Sequence, residues 1–177
     1  GVPSALNRLL AEGEIDLCPS SSIEYAKGED RYALLPDLSI SSMGPVRSVL
    51  LFSRRPLESL SGGEVGLTTD SDTSVALLTI LLRRRFGLEV TLRRTSARNL
   101  AAADTDALLL IGDAALSEAG RAEGWMVYDL GELWWEFTGL PFVFGLWIVR
   151  LDACRRSPGQ VEHLARRFRE AKEAAYR

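Results

Sequence analysis

The sequence predicts an α/β protein, and three observations carry that prediction. Short apolar runs alternate along the chain with segments whose apolar residues recur at helical spacing. Several runs, such as Val49–Phe52 and Ala107–Ile111, are almost continuously apolar, as expected of strands covered on both faces. Glycine, proline and hydroxyl-rich turns punctuate the alternation at strand-to-helix distances. A mostly parallel sheet is the expected arrangement.

Taken in order, Pro3 to Gly13 reads as a helix. Proline suits its first turn, Leu6, Leu9 and Leu10 form the stripe, and Gly13 ends it. Ile15–Leu17 reads as a short strand before the turn Cys18-Pro19-Ser20-Ser21-Ser22, and Ile23–Ala26 as a brief helix. Ala33–Leu35 and Ser48–Ser53 read as strands, Pro56–Gly63 as punctuation, and Glu64–Thr68 as another strand. Ser71 or Asp72 can cap a helix over Thr73–Phe86, in which Val75, Leu78, Leu81 and Leu82 recur and Gly87 ends the run. Glu89–Arg93 and Asp106–Ile111 are strands, with a short helix after Gly112-Asp113. Glu132–Phe137 is helical and ended by Thr138-Gly139, Phe142–Val149 is a buried strand, and Val161, Leu164, Ala165, Phe168 and Ala175 stripe a last helix.

Composition narrows the function. The 177 residues are 46% hydrophobic and 25% charged, with a net charge of -3, which disfavours a nucleic-acid partner. The arginines at 83–85 and 166–169 fall on helical patterns and read as solvated faces. Cys18 and Cys154 form no paired spacing, and His163 is the single histidine, so neither a metal cluster nor a Cys–His pair is expected. The apolar stretches fall short of the about 20 residues a bilayer-spanning helix needs, and no signal peptide is read at Gly1. A cytoplasmic protein without membrane attachment is the expectation.

Three hydroxyl-rich turns stand out: Cys18 to Ser22, Ser39 to Ser48, and Thr68 to Ser74. Neutral hydroxyls beside the N–H groups of a helix's first turn suit a carboxylate without requiring lysine or arginine. In an open α/β sheet such groups gather outside the carboxyl ends of the strands. The same residue types also serve simply as caps and turn formers, and at Thr73 and Ser74 the two roles can coexist. Asp113, at a strand's end, reads both as a helix cap and as a carboxylate at a cleft mouth. Trp134, Trp135, Phe137, Phe142, Phe144 and Trp147 read as core or inter-lobe packing, one ring of which can line a pocket. Glu24 and Tyr25 stand behind the first turn as hydrogen-bonding support or as surface residues.

Five stretches taken together resemble the chorismate dehydratase family of menaquinone biosynthesis, the futalosine route. They are Asp16 to Tyr25; Pro36 to Ser42 with Gly44 to Ser53; Thr73 to Leu78; Leu110 to Leu116; and Tyr128 to Glu132 through Thr138 to Phe144. The resemblance runs in order from Pro3 to about Arg150. It implies a type II periplasmic-binding-protein-like fold of two lobes around a central cleft. The first lobe is expected to hold 1–60 with 140–177, and the second 61–139.

The implied reaction is loss of water from chorismate to give 3-[(1-carboxyvinyl)oxy]benzoate, by a cytoplasmic carbon–oxygen lyase that uses no cofactor or metal. By motif position, Ser21, Ser48, Thr73 and Ser74 are expected to bind the carboxylates of this small-molecule dicarboxylate. Ser48 and Asp113 are the expected catalytic contributors. Members also begin with a strand and an aromatic-Leu-Asn motif. Asn7 and Asn99 stand in other contexts, and truncation at both ends is expected. The alternatives are a non-catalytic carboxylate-binding or sensor protein of the same fold, and the sister enzyme of the route that forms a dihydroxynaphthoate.

Overall fold

A computed structural model describes residues 3–175. The chain divides into two units, residues 1–40 with 143–177, and residues 41–142.

The first unit contains α1 (Pro3–Glu12), β1 (Leu17–Ser21), α2 (Ser22–Lys27), most of β2 (Tyr32–Ser42), all but the first residue of β8 (Phe142–Arg150), α6 (Leu151–Arg156) and α7 (Pro158–Ala175). Its three strands lie in the order β1-β8-β2, with β1 antiparallel to β8 from Leu17↔Val149 to Ser21↔Gly145. The two-residue period of β8 sorts its side chains onto two faces. Ile148 and Leu146 pack with Leu10, Cys18 and Tyr32, while Val149 and Trp147 pack with Leu35, Ala153, Val161, Ala165 and Phe168. The Trp147 and Phe168 rings stand 4.5 Å apart between centroids, which fastens the stripe of α7 to the sheet.

The first hydroxyl turn is therefore shorter than expected. β1 runs on through Pro19, Ser20 and Ser21. Proline is tolerated there because β1 is an edge strand, so its missing N–H breaks no interior ladder. In the same way β2 extends through Ser39–Ser42, leaving Met43 to Ser48 as the turn.

The second unit is built on β3 (Val49–Ser53), β4 (Glu64–Thr68), β5 (Thr91–Thr95), β6 (Ala107–Ile111) and β7 (Met126–Asp129). Its helices are α3 (Asp72–Ile80), α4 (Gly112–Ala119) and α5 (Leu130–Thr138). The strand order is β5-β4-β6-β3-β7. β4 runs parallel to β5 and β6, and β3 antiparallel to β6 and β7. The sheet is thus mixed, which corrects the expectation of a mostly parallel one. Leu51, Phe52, Leu108 and Leu109 are fully buried, as the unbroken apolar runs of β3 and β6 require.

Residues 41–60, expected with the first lobe, belong with the second. The reason is pairing: every residue of β3 has a partner on β6, from Val49↔Ile111 to Ser53↔Ala107. β7 was not expected at all. It is a four-residue edge strand, partly exposed along its length, and shows neither alternation nor an apolar run. The helix expected over Thr73–Phe86 starts one residue earlier and changes character. After Ile80 it widens into a π turn over Leu81–Arg85, with Phe86 N–H donating to the Leu81 carbonyl.

Candidate functional site

Thr73 and Ser74 owe their place to β4. That strand ends at Thr68, and three residues later α3 begins with Ser71 as its N-cap. Ser74 N–H donates to Ser71 Oγ at 3.2 Å, and the two hydroxyls lie 3.0 Å apart. Capping and a candidate binding role therefore fall on the same group of atoms. The approach to α3 is pinned from β5 and the segment after it. Arg94 donates to the Thr68 carbonyl at 2.6 Å and pairs with Asp72 at 2.7 Å, while Arg98 pairs with Asp70 at 3.1 Å.

Ser48 reaches the same end of the sheet from the opposite chain direction. Because β3 is antiparallel to β6, the start of β3 lies beside the end of β6. The Ser48 carbonyl accepts the N–H of Gly112, the first residue of α4, at 2.8 Å. Asp113 follows in the first turn of α4 and is exposed. The structure thus brings Ser48, Thr73, Ser74 and Asp113 to one end of the second unit's sheet. Ser48 is half-buried, whereas Thr73 and Ser74 are only 3% and 2% exposed. Of the four, Ser48 and Asp113 offer the accessible surface.

Ser21 lies in the first unit, as the last residue of β1 and the N-cap position of α2. Its side chain makes no capping hydrogen bond, and its N–H donates to Asn7 Oδ1 at 3.1 Å. Asn7 is 5% exposed, and its Nδ2 has no partner among the described residues. The polar layer behind Ser21 is internally bonded. Cys18 Sγ and Ser20 Oγ lie 3.1 Å apart, and Tyr32 OH donates to Glu24 Oε1 at 2.9 Å. Burial pushes the Cys18 thiol up, against the Ser20 hydrogen bond that lowers it and with a smaller push from Glu24. Tyr32 is raised too, by burial first and then by its bond to Glu24. Glu24 is accordingly a buried support and not a surface residue.

Trp134 meets Phe142 edge to face at 5.3 Å in the second unit, and Trp147 meets Phe168 in the first. Trp135 and Phe137 are exposed. A concavity of about 450 Å³ is lined by Thr79, Leu82, Arg83, Gly87, Leu88 and Val90 at the far end of α3, away from the hydroxyls. Among the described residues no three His, Cys, Asp or Glu side chains are grouped to hold a metal ion, and no helix is long and apolar enough to cross a membrane.

One residue at this end of the sheet was not expected. Asp129 ends β7 and caps α5, and its carboxylate also reaches the turn before Ser48. An aspartate ahead of a helix reveals the cap. Nothing local reveals a contact with residues 82 and 83 positions away.

The profile of the menaquinone biosynthesis family matches residues 1–177. The chain is 39% identical to the chorismate dehydratase of Thermus thermophilus, over 97% of this chain and 66% of that protein. It is 31% identical to the 1,4-dihydroxy-6-naphthoate synthase of the same organism, over 83% of this chain and 53% of that protein. The chain therefore spans between about half and two thirds of the length of these relatives. The fold is similar to that of the alkanesulfonate-binding protein SsuA from Xanthomonas axonopodis, with a TM-score of 0.64 at 17% identity, covering 92% of this chain and 57% of that one. That likeness places the architecture among the type II periplasmic-binding-protein-like folds.

Proposed function

The chain belongs to the menaquinone biosynthesis family, and from that premise we propose that it serves as a chorismate dehydratase. What carries the reading is its extended similarity to the Thermus enzyme, together with the gathering of Ser48, Thr73, Ser74 and Asp113 at one end of a sheet.

The reaction breaks the bond from the ring to its hydroxyl and removes a proton from the neighbouring ring carbon. The electron pair of that C–H bond completes the aromatic ring, and the hydroxyl and proton depart as water. The protein's task is to hold two carboxylates and align the two breaking bonds. Ser48, Thr73 and Ser74, with the N–H groups opening α3, supply neutral donors for a carboxylate. Ser21 is assigned the same role by motif position. Asp113 is assigned to the departing hydroxyl. The proton acceptor in this reading is a carboxylate of the substrate itself. The activity is a hydro-lyase, placed in the cytoplasm, where the free Cys18 and Cys154 would remain reduced.

The test is to incubate the protein with chorismate and follow both its loss and the rise of an aromatic product by chromatography. Stoichiometric formation of 3-[(1-carboxyvinyl)oxy]benzoate supports the reading. Saturable chorismate binding without turnover would make the protein a binding module. Formation of a dihydroxynaphthoate from a cyclic futalosine derivative would assign it to the sister reaction.

A further inference from the structure

The carboxylate of Asp129 accepts four backbone N–H groups from two separate segments. Oδ1 accepts Val46 at 3.0 Å, Gly131 at 2.8 Å and Glu132 at 3.1 Å, and Oδ2 accepts Arg47 at 2.6 Å. Two of these open α5, and two belong to the turn that delivers Ser48 to β3. The turn would not hold this shape cheaply by itself. Arg47 has a φ of 66°, in the left-handed region that side chains disfavour. The contact is also too close for a side chain at Gly131, where a Cβ would lie 2.7 Å from the Gly44 carbonyl oxygen and 3.0 Å from the Val46 nitrogen.

We propose that Asp129 is a positioning residue: it clamps the 44–47 turn onto the start of α5 and thereby sets the Ser48 hydroxyl for the substrate. This rests on the reading of Ser48 as a substrate-binding residue. An ionised carboxylate suits the task because all four partners are donors and it offers only acceptors. An asparagine can keep one oxygen on Val46, Gly131 and Glu132, but it turns an NH₂ toward the Arg47 N–H. Asp129→Asn therefore separates the clamp on Arg47 from the cap of α5.

The experiment compares Ser48→Ala, Asp129→Asn, and Asp129→Asn with Arg47→Gly, by steady-state kinetics on chorismate and by thermal unfolding. Asp129→Asn is expected to lower kcat/KM by about tenfold or more, with a Tm close to wild type. Adding Arg47→Gly is expected to recover part of the loss, because glycine takes a positive φ without the bond that enforces it. A purely structural role for Asp129 would move Tm and leave the kinetics of the folded enzyme and the rescue flat. Wild-type kcat/KM for Asp129→Asn beside an impaired Ser48→Ala would overturn the role of Asp129 alone. An unimpaired Ser48→Ala would remove the reading beneath it. If Asp129→Asn does not fold, Gly131→Ala tests the same clamp from the helix side, since its methyl displaces the turn while Asp129 stays. Unchanged kcat/KM in that variant would equally overturn the proposal.

Discussion

The Ser48 carbonyl accepts the N–H of Gly112 at 2.8 Å, so the residue before β3 and the residue opening α4 are one hydrogen bond apart although they are far apart in sequence. That bond uses the Ser48 backbone and does not involve its hydroxyl. The main chain is anchored while the side chain, half-buried, remains at the end of the sheet.

Ser48→Ala should therefore separate function from stability. The backbone bond survives, and the neutral donor proposed for the substrate is lost. A fall in kcat/KM of about tenfold, roughly 1.4 kcal/mol, is expected, with Tm little changed. Steady-state turnover of chorismate checks the first part and thermal unfolding the second. Chorismate consumption at the wild-type rate would remove Ser48 from the site.

The start of α3 makes the opposite prediction for Ser71 and Ser74. Ser71 Oγ accepts the Ser74 N–H at 3.2 Å as a true N-cap. Ser71→Ala should cost about 1 kcal/mol of stability, read as a lowered denaturant midpoint. Ser74→Ala keeps that cap and should weaken chorismate binding more than it lowers stability. If Ser74→Ala were the less stable of the two and retained full activity, the hydroxyl would be structural.

How far the sequence revealed this arrangement depends on the range of the interaction. The strands at 49–53 and 107–111 were legible because burial on both faces writes continuous apolar runs. The end of α5 at Gly139 was legible because its left-handed φ of 68° suits a glycine cap. Chain direction was not legible: nothing local distinguishes an antiparallel β3 from a parallel one, and that choice moves 41–60 into the second unit and sets Ser48 beside Gly112. Asp129 was readable as a cap and silent about Val46 and Arg47, since a carboxylate's long-range partners are backbone groups that carry no residue identity.

The first unit offers a pH test. Asp152 is held down to about 2, first by its hydrogen bonds from Arg150, with Arg150 Nε at 2.9 Å and Nη2 at 2.7 Å. A carboxylate depressed in the folded state stabilises the protein above its unfolded pKa, about 3.9, and that contribution is lost as pH falls toward the folded value. Asp152→Asn should thus be less stable than wild type at neutral pH, and the two should converge between about pH 4 and pH 2. Denaturant titrations at several pH values check this. A difference that stays constant down to pH 2 would mean that the pair contributes nothing through ionisation.

Asp113 poses the sharpest question about the chemistry. It is exposed in the first turn of α4, where a negative charge is favoured by the helix N-terminus whether or not it touches substrate. The two roles differ in what Asp113→Asn changes. A residue that acts on the departing hydroxyl should lose about a hundredfold in kcat when its carboxylate becomes an amide, with KM altered far less. A residue that only complements the helix end should lose about 0.3–1 kcal/mol of stability and keep its turnover. The proposed mechanism predicts the first outcome. Full kcat in Asp113→Asn would leave elimination to the substrate's own carboxylate and the surrounding hydroxyls, with no protein acid or base at this end of the sheet.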